Sequence, residues 1–391
     1  MAKSGKIIFL DQKVGTLFQE LAVDLSYSWP DSIIYTYKSD WQGNEYGNLY
    51  IKNAPSYQKK NIFTRFFSWL SYFICSFSLV LFKSRSNTLF IVTTPPYLGL
   101  IGLFFKKIRR QKYVVLVYDM YPDVLLSIGT IKDGVLTRLW RKMNRVVYNN
   151  ADAVITIGEY MQKNLEKDFD VSKTRLKYIP VIHNWADTDW IVPLKKEENP
   201  FLKEIGMTDK FIVTYSGNIG STHDIETIIE AINKLRDNDN IHFMFIGEGA
   251  KKKYVEDSKR QYEMDNLTIL PFQPQSKLPF TLSASDLSLV SIGKGVEGFL
   301  VPSKFYSYLA AGTGILLISR KCEISDIIEE NECGITIEPG DSDGLVEAIL
   351  EFYRNPAKLQ IAKSNSRLIA EESYSRKNTQ DYIEFLKEVI N

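Results

Sequence analysis

Short apolar, β-branched runs alternate with amphipathic stretches along nearly the whole chain. A strand buried on both faces reads as such a run, so the alternation points to parallel sheets joined by helical crossovers. In the first half, Lys6–Leu10, Thr88–Thr93, Tyr113–Tyr118, Ala153–Ile157 and Leu176–Ile179 read as strands. Helices are expected around Thr16–Ser26, Phe63–Phe82, Leu98–Arg109, Leu136–Tyr148 and Tyr160–Lys167. The polar, aperiodic stretch Asp187–Pro200 reads as a linker. A second series follows, with strands at Phe211–Ser216, Ile241–Ile246, Leu267–Leu270, Leu287–Val290, Gly314–Ile318 and Gly334–Ile337. Its helices fall near Asp224–Leu235, Tyr254–Met264, Lys277–Ser283, Lys304–Ala311 and Asp343–Arg354. At 391 residues the chain exceeds one ordinary core. The expected fold class is α/β, with two Rossmann-like doubly wound domains facing across a cleft. Residues 1–190 and 201–373 form them, and a helix in 374–391 packs back on the first. Ligands of such folds sit at the carboxyl ends of the strands.

Lys plus Arg (48) nearly cancels Asp plus Glu (47), so no global field points to nucleic acid. Three scattered cysteines (Cys75, Cys322, Cys333) suit reduced thiols in a cytoplasmic protein, and three histidines make a His-rich metal site improbable. No secretory signal is expected at the N-terminus. The uncharged run Phe66–Phe82 is about 25 Å long as a helix, short of the roughly 30 Å hydrocarbon core. Its Ser68, Ser71, Cys75 and Ser78 share a stripe opposite Phe66, Leu70, Phe73, Phe77 and Leu81. That pattern fits a helix packed closely on a sheet or one dipping into a single leaflet. Leu136–Tyr148 sets Arg138, Arg141, Lys142 and Arg145 against Leu136, Leu139, Trp140, Met143 and Val147. With the Lys106, Lys107, Arg109 and Arg110 cluster, it suits either an anionic inner leaflet or a core helix with a solvated basic face.

Three turns carry the candidate chemistry. The strand Phe211–Ser216 runs into Gly217-Asn218-Ile219-Gly220-Ser221-Thr222-His223-Asp224 and then a helix. Glycines there let the backbone approach a diphosphate, with Asp224 as a helix cap, although a plain tight turn has the same form. Gly247-Glu248-Gly249 follows the next strand. Gly295 to Gly312 combines Glu297, Pro302-Ser303-Lys304 and Ser307 at a helix start. Lys304 opposes the helix dipole by a few tenths of a kcal/mol, roughly, a cost explained if it meets a bound phosphate. An Asp-x-Asp sequence, Asp187-Thr188-Asp189, sits in the linker rather than behind a strand, and no metal is expected there.

Taken in order, these motifs resemble the family 4 retaining glycosyltransferases of the GT-B fold, in the branch of bacterial capsule, O-antigen and exopolysaccharide synthesis. Thr94-Pro95-Pro96, Tyr118-Asp119-Met120-Tyr121-Pro122-Asp123, Ala151–Thr156 with Glu159, Ile179-Pro180 and Asn184-Trp185-Ala186-Asp187 match the first domain. Tyr215–Gly220 and Pro302–Gly312 match the donor half. By spacing, Asn218 and His223 stand where the family commonly has Arg and Lys. Phe299 and Ser307 stand at its two glutamates, with Glu297 nearby, and Tyr118 replaces a histidine.

The resemblance implies a nucleotide-sugar donor, a polyprenyl-diphosphate-linked saccharide acceptor at the inner membrane surface, and neither metal nor other cofactor. It implies retention by same-face attack, with no protein nucleophile. Donor binding falls to Gly217, Asn218, Gly220, Gly247, Glu248, Ser303, Lys304 and Ser307. Lys304, Glu297 and His223 contact the leaving group or sugar, and Gly15, Tyr118, Asp119 and Glu159 lie on the acceptor side. A nucleotide-sugar epimerase of the same fold and a non-catalytic transferase partner remain open.

Overall fold

The computed structural model describes residues 5–37, 41, 46–57, 62–168, 172 and 178–390. Two units emerge, Met1–His183 with Lys377–Asn391, and Asn184–Arg376. The first contains β1 (Ile7–Leu10), α1 (Thr16–Ser28), β2 (Ser32–Thr36), β3 (Leu49–Asn53), α2 (Ile62–Leu81) and β4 (Thr88–Val92). It continues through α3 (Gly99–Arg109), β5 (Tyr113–Val117), α4 (Asp123–Ser127), α5 (Val135–Asn150), β6 (Ala153–Thr156) and α6 (Glu159–Asp168). The six strands are parallel, in the order β3-β2-β1-β4-β5-β6. Ile7 to Leu10 are fully buried, as a central strand covered on both faces requires. Of the expected strand Leu176–Ile179, Leu176 and Lys177 lie outside the described residues, and Tyr178 and Ile179 are not in a strand.

Right-handed crossovers divide the helices between the two faces. The chain moves one way from β1 to β3, placing α1 on one face. It moves the other way from β3 to β6, placing α2, α3 and α5 together on the opposite face. Phe77 of α2 meets Phe104 and Phe105 of α3 at centroid distances of 4.9 and 5.0 Å. Tyr113 of β5 donates its hydroxyl to the Val147 carbonyl of α5.

The register of α2 differs from the small-residue stripe read above. Its buried line is Ser68, Tyr72, Ser76 and Val80, whereas Ser71 and Ser78 are exposed. Polar bonds set this orientation. Gln12 Nε2 donates to the Ser68 carbonyl at 3.1 Å and hydroxyl at 3.0 Å, and the Tyr72 hydroxyl donates to the Tyr35 carbonyl at 2.6 Å. Phe63, Phe67, Leu70 and Ile74 are left facing outward.

The second unit contains α7 (Pro200–Ile205), β7 (Phe211–Ser216), α8 (Ile225–Lys234), β8 (Ile241–Ile246), α9 (Lys252–Gln261), β9 (Leu267–Leu270) and α10 (Leu278–Ser283). Then come β10 (Leu287–Ser291), α11 (Lys304–Ala310), β11 (Gly314–Ile318), α12 (Glu323–Glu330), β12 (Gly334–Ile337), α13 (Ser342–Arg354) and α14 (Pro356–Ser373). Its parallel order, β12-β11-β10-β7-β8-β9, is the same permutation as the first sheet. Two Rossmann-like α/β domains are thus present, as the alternation anticipates.

The stretch 187–200 is built into this unit rather than strung as a linker. Lys196 pairs with buried Asp286, whose carboxylate also accepts from Ile212 N at 2.9 Å. Asn199 caps α7 by accepting from Phe201 N and Leu202 N, and Arg367 donates to the Thr188 and Ile191 carbonyls at 2.9 and 2.8 Å. Asp187 accepts from Asp189 N and Trp190 N at 3.1 and 2.9 Å, the bonds of an aspartate closing its own turn. The closing helix α15 (Asn378–Ile390) returns to the first unit. It packs against α1, buries Tyr382, Leu386 and Val389, and receives Lys112 Nζ at the Ile390 carbonyl, 2.5 Å away.

Candidate functional site

Strand order reverses between β7 and β10, so the loops leaving their carboxyl ends flank the expected ligand position. Backbone bonds knit three loops together there. Gly217 N donates to Ile246 O at 2.8 Å, Ile219 N to Glu248 O at 2.8 Å, Lys251 N to Ile219 O at 3.0 Å, and Gly293 N to Thr222 O at 2.6 Å. Gly217 and Gly247 adopt φ of +123° and +149°, and a Cβ on Gly247 would collide with the Gly217 carbonyl. Gly247 therefore serves loop-to-loop approach, whereas a Cβ on Gly217 would meet the Lys304 side chain at 3.4 Å.

This alters the role given to the Gly217–Gly220 turn. The N–H groups of Gly217 and Ile219 are consumed by neighbouring carbonyls, and Gly220 N donates to His223 Nδ1 at 3.1 Å. They are not free to cradle a phosphate. At the α8 N-terminus Asp224 takes one N–H, accepting from Thr227 N at 3.1 Å. Asn218 is exposed, its carbonyl accepting from the Tyr215 hydroxyl at 2.9 Å.

His223, which by spacing stands at the family's lysine position, is bonded within its own turn. Its Nδ1 accepts from Gly220 N and lies 2.6 Å from the Tyr215 hydroxyl, which places the ring proton on Nε2. Burial, then the nearby Lys304 and Lys251, push its pKa down to about 3. A neutral ring holding the turn in shape is the result.

The positive charge comes from Lys304, the first residue of α11. Its Nζ lies 3.7 Å from the centroid of the Tyr215 ring and is buried with no hydrogen-bond partner among the described residues. Burial lowers its pKa to about 7. Tyr215 is held by stacking on Phe245 (5.0 Å, 16°). The Tyr308 hydroxyl bonds Ser216 N at 2.6 Å and Ser216 O at 3.1 Å, fixing α11 to the end of β7. In the loop before α11, Glu297 Oε1 is also buried without a partner. Lys304 Nζ and Glu297 Oε1 thus retain hydrogen-bonding capacity that the described residues do not use. Glu248 is paired with Lys252 at 2.6 Å, Ser303 is exposed, and Ser307 is half-buried on α11.

On the first unit, Gly15 is the exposed N-cap of α1, with open space where a Cβ would stand. Tyr118 is half-buried, edge-on to Phe18 at 6.3 Å, and burial drives its hydroxyl pKa well up. Asp119 accepts from the Thr94 hydroxyl at 3.3 Å, and burial raises its carboxyl pKa. Glu159 is in the first turn of α6, exposed and paired with Lys163 at 3.5 Å. Asp119 also lines a shallow, solvent-open pocket walled by Tyr97, Tyr121 and Trp140. Trp140 sits 4.7 Å from Tyr97 and 6.3 Å from Tyr121 between ring centroids. Three elements supply these rings, so no local motif announces the pocket. The Tyr215–Lys304 pair escapes notice for the same reason.

Residues 196–369 match the family model of glycosyl transferases group 1. The chain is 29% identical over 282 residues to a probable glycosyltransferase of Pseudomonas aeruginosa, WbjE, covering 72% of this chain and 69% of that one. It is 26% identical over 343 residues to a putative colanic acid biosynthesis glycosyl transferase of Escherichia coli K12, WcaI, covering 85% and 82%. Among solved structures, Anabaena HepE with UDP and glucose superposes with a TM-score of 0.75 at 15% identity, covering 98% of this chain and 100% of that one. WaaG, a glycosyltransferase involved in lipopolysaccharide biosynthesis, gives 0.73 at 14% identity, covering 97% and 99%. At these identities the superpositions establish the fold.

Proposed function

We propose that this chain is a group 1 glycosyltransferase of bacterial polysaccharide synthesis and moves a sugar from a nucleotide-diphosphate donor to a lipid-linked saccharide with retention. The observation that carries the donor side is the buried, unpaired ammonium of Lys304 beside the carboxyl ends of β7 and β10. When the anomeric C–O bond breaks, negative charge grows on the leaving diphosphate. A preorganised cation in a dry setting stabilises that charge without reorganising. Tyr215 holds the ammonium from beneath through its ring face, leaving the N–H donors for the phosphate. Glu297 Oε1 is suited to accept from a hydroxyl of the donor sugar. His223 and the glycine turns shape the wall against which the diphosphate rests.

The acceptor hydroxyl attacks on the face the leaving group vacates, and its proton passes to the departing phosphate oxygen. No protein nucleophile and no metal enter the scheme. The acceptor side falls to the first unit, where Asp119 and the Tyr97–Trp140 pocket offer a carboxyl and aromatic faces for a saccharide. Acceptors anchored in lipid place the enzyme in the cytoplasm, peripheral to the membrane. The test is incubation with a panel of nucleotide sugars and a polyprenyl-diphosphate saccharide, read by mass spectrometry for wild type and Lys304→Met. An acceptor mass shift lost in the variant supports the reading. Interconverted donor without transfer, or undiminished transfer by Lys304→Met, overturns it.

A further inference from the structure

The outer surface of α2 is apolar where a helix covering a sheet is ordinarily polar. Phe63, Phe67, Leu70, Ile74 and Leu81 follow one another at three- to four-residue steps or multiples of them, and Phe63 and Phe67 are 73% and 64% exposed. The window Phe63–Leu81 has a mean hydropathy of 1.3 with only 22% of it buried. A contiguous exposed patch of this kind marks a contact surface. On α3 and α5, Phe104, Ile108, Leu136 and Leu139 are exposed on the same side of the sheet.

Charge says what covers it. From Tyr46 to Tyr118 the sequence contains eleven Lys and Arg residues and no Asp or Glu, in a chain whose net charge is +1. The remainder of the chain, taken together, is therefore net acidic. Lys107 and Arg110 are exposed at the end of α3, and α5 contributes exposed Arg138, Lys142 and Arg145 with no acidic residue of its own. An apolar stripe rimmed by basic side chains is complementary to an anionic lipid surface.

The topology decides how α2 meets it. The strands before and after α2, β3 and β4, belong to one parallel sheet, and Gln12 and Tyr72 tie the inner face of α2 to that sheet. Arg109 Nη2 donates to the Val80 carbonyl at 2.7 Å, holding the helix end against α3. Crossing a bilayer would sever these bonds and split the sheet. We infer that α2 lies flat in one leaflet as an in-plane anchor, its Phe63–Leu81 stripe among the acyl chains and the basic residues of α3 and α5 on anionic headgroups. The inference stands whether or not the transfer reaction does.

The experiment is co-sedimentation of the full chain with phosphatidylglycerol or phosphatidylcholine vesicles at low and high salt, without sugar donor. Two variants at exposed positions separate the terms: Phe67→Ser with Ile74→Ser, and Lys107→Glu with Arg110→Glu. Circular dichroism checks that both fold. Wild type is expected to bind anionic vesicles at least about tenfold more tightly than zwitterionic ones. The apolar variant should lose about tenfold or more at both salt concentrations, and the charge variant mainly at low salt. Absence of wild-type binding at low salt, or undiminished binding by the apolar variant, overturns the proposal. So does a wild-type dimer in solution that the apolar variant splits, which would assign the stripe to a second copy of the chain.

Discussion

The ammonium of Lys304 stands 3.7 Å from the centroid of the Tyr215 ring with no hydrogen-bond partner among the described residues. A buried unpaired charge destabilises the ligand-free protein, because desolvation is only partly offset by the ring. Lys304→Met is therefore expected to raise the thermal midpoint of the free protein by a few degrees while lowering kcat/KM about 100-fold. Calorimetry and a transfer assay on one preparation check both. A midpoint that falls with activity would mark Lys304 as structural.

Donor affinity should depend on pH through the same residue. The Lys304 pKa is lowered to about 7 in the free protein, and a bound diphosphate favours the charged form and raises it. The complex then holds more protons than the free protein above pH 7. Binding is full below pH 7 and weakens by up to about tenfold per pH unit above it. Titration calorimetry from pH 6 to 9 in buffers of different ionisation enthalpy should show proton uptake that Lys304→Met abolishes.

Acid stability bears on His223. Its folded pKa lies near 3 against the ordinary 6.5, so the unfolded chain takes up a proton that the folded one refuses. The stabilisation is complete above pH 6.5 and is lost as pH falls toward 3, at roughly 1.4 kcal/mol per unit. His242, lowered to about 4 by burial, adds a similar slope over a shorter window. Replacing His223 with Gln should flatten the urea-midpoint profile between pH 4 and 6; an unchanged slope there would show that other groups govern it.

Gly247→Ala tests the knitted loops. The new Cβ meets the Gly217 carbonyl at a φ of +149°, which side-chain-bearing residues avoid. A loss of about 2–4 kcal/mol in unfolding free energy is expected, with donor binding impaired more than overall secondary structure. Gly15→Ala is the control, since open space surrounds that position.

Much of the fold was legible where burial is two-sided. In the second unit, the runs Phe211–Ser216, Ile241–Ile246 and Leu267–Leu270 coincide with β7, β8 and β9. Two strands of the first sheet went unseen. β3 lies at the sheet edge with half-exposed residues, so its pattern is not a continuous apolar run. β2 is a five-residue strand entered directly from Pro30 and Asp31, residues that break an apolar pattern. Site residues were legible as types rather than roles. Lys304 stood out at the start of a helix, but its partner Tyr215 lies on β7, far from it in sequence. His223 carries the residue type of a cation and is held neutral chiefly by burial, which no spacing rule reveals.

The return of α15 to the first unit has a consequence for synthesis. Tyr382, Leu386 and Val389 cover α1, yet they are translated after every residue of the second unit. The first sheet therefore leaves the ribosome with α1 uncovered and must wait for the second unit to emerge before that face is sealed. During this interval the nascent chain exposes apolar surface that chaperones recognise. A ribosome stalled before Asn378 should hold a first unit that proteases cut, and one stalled late enough for α15 to clear the exit tunnel should hold one that resists.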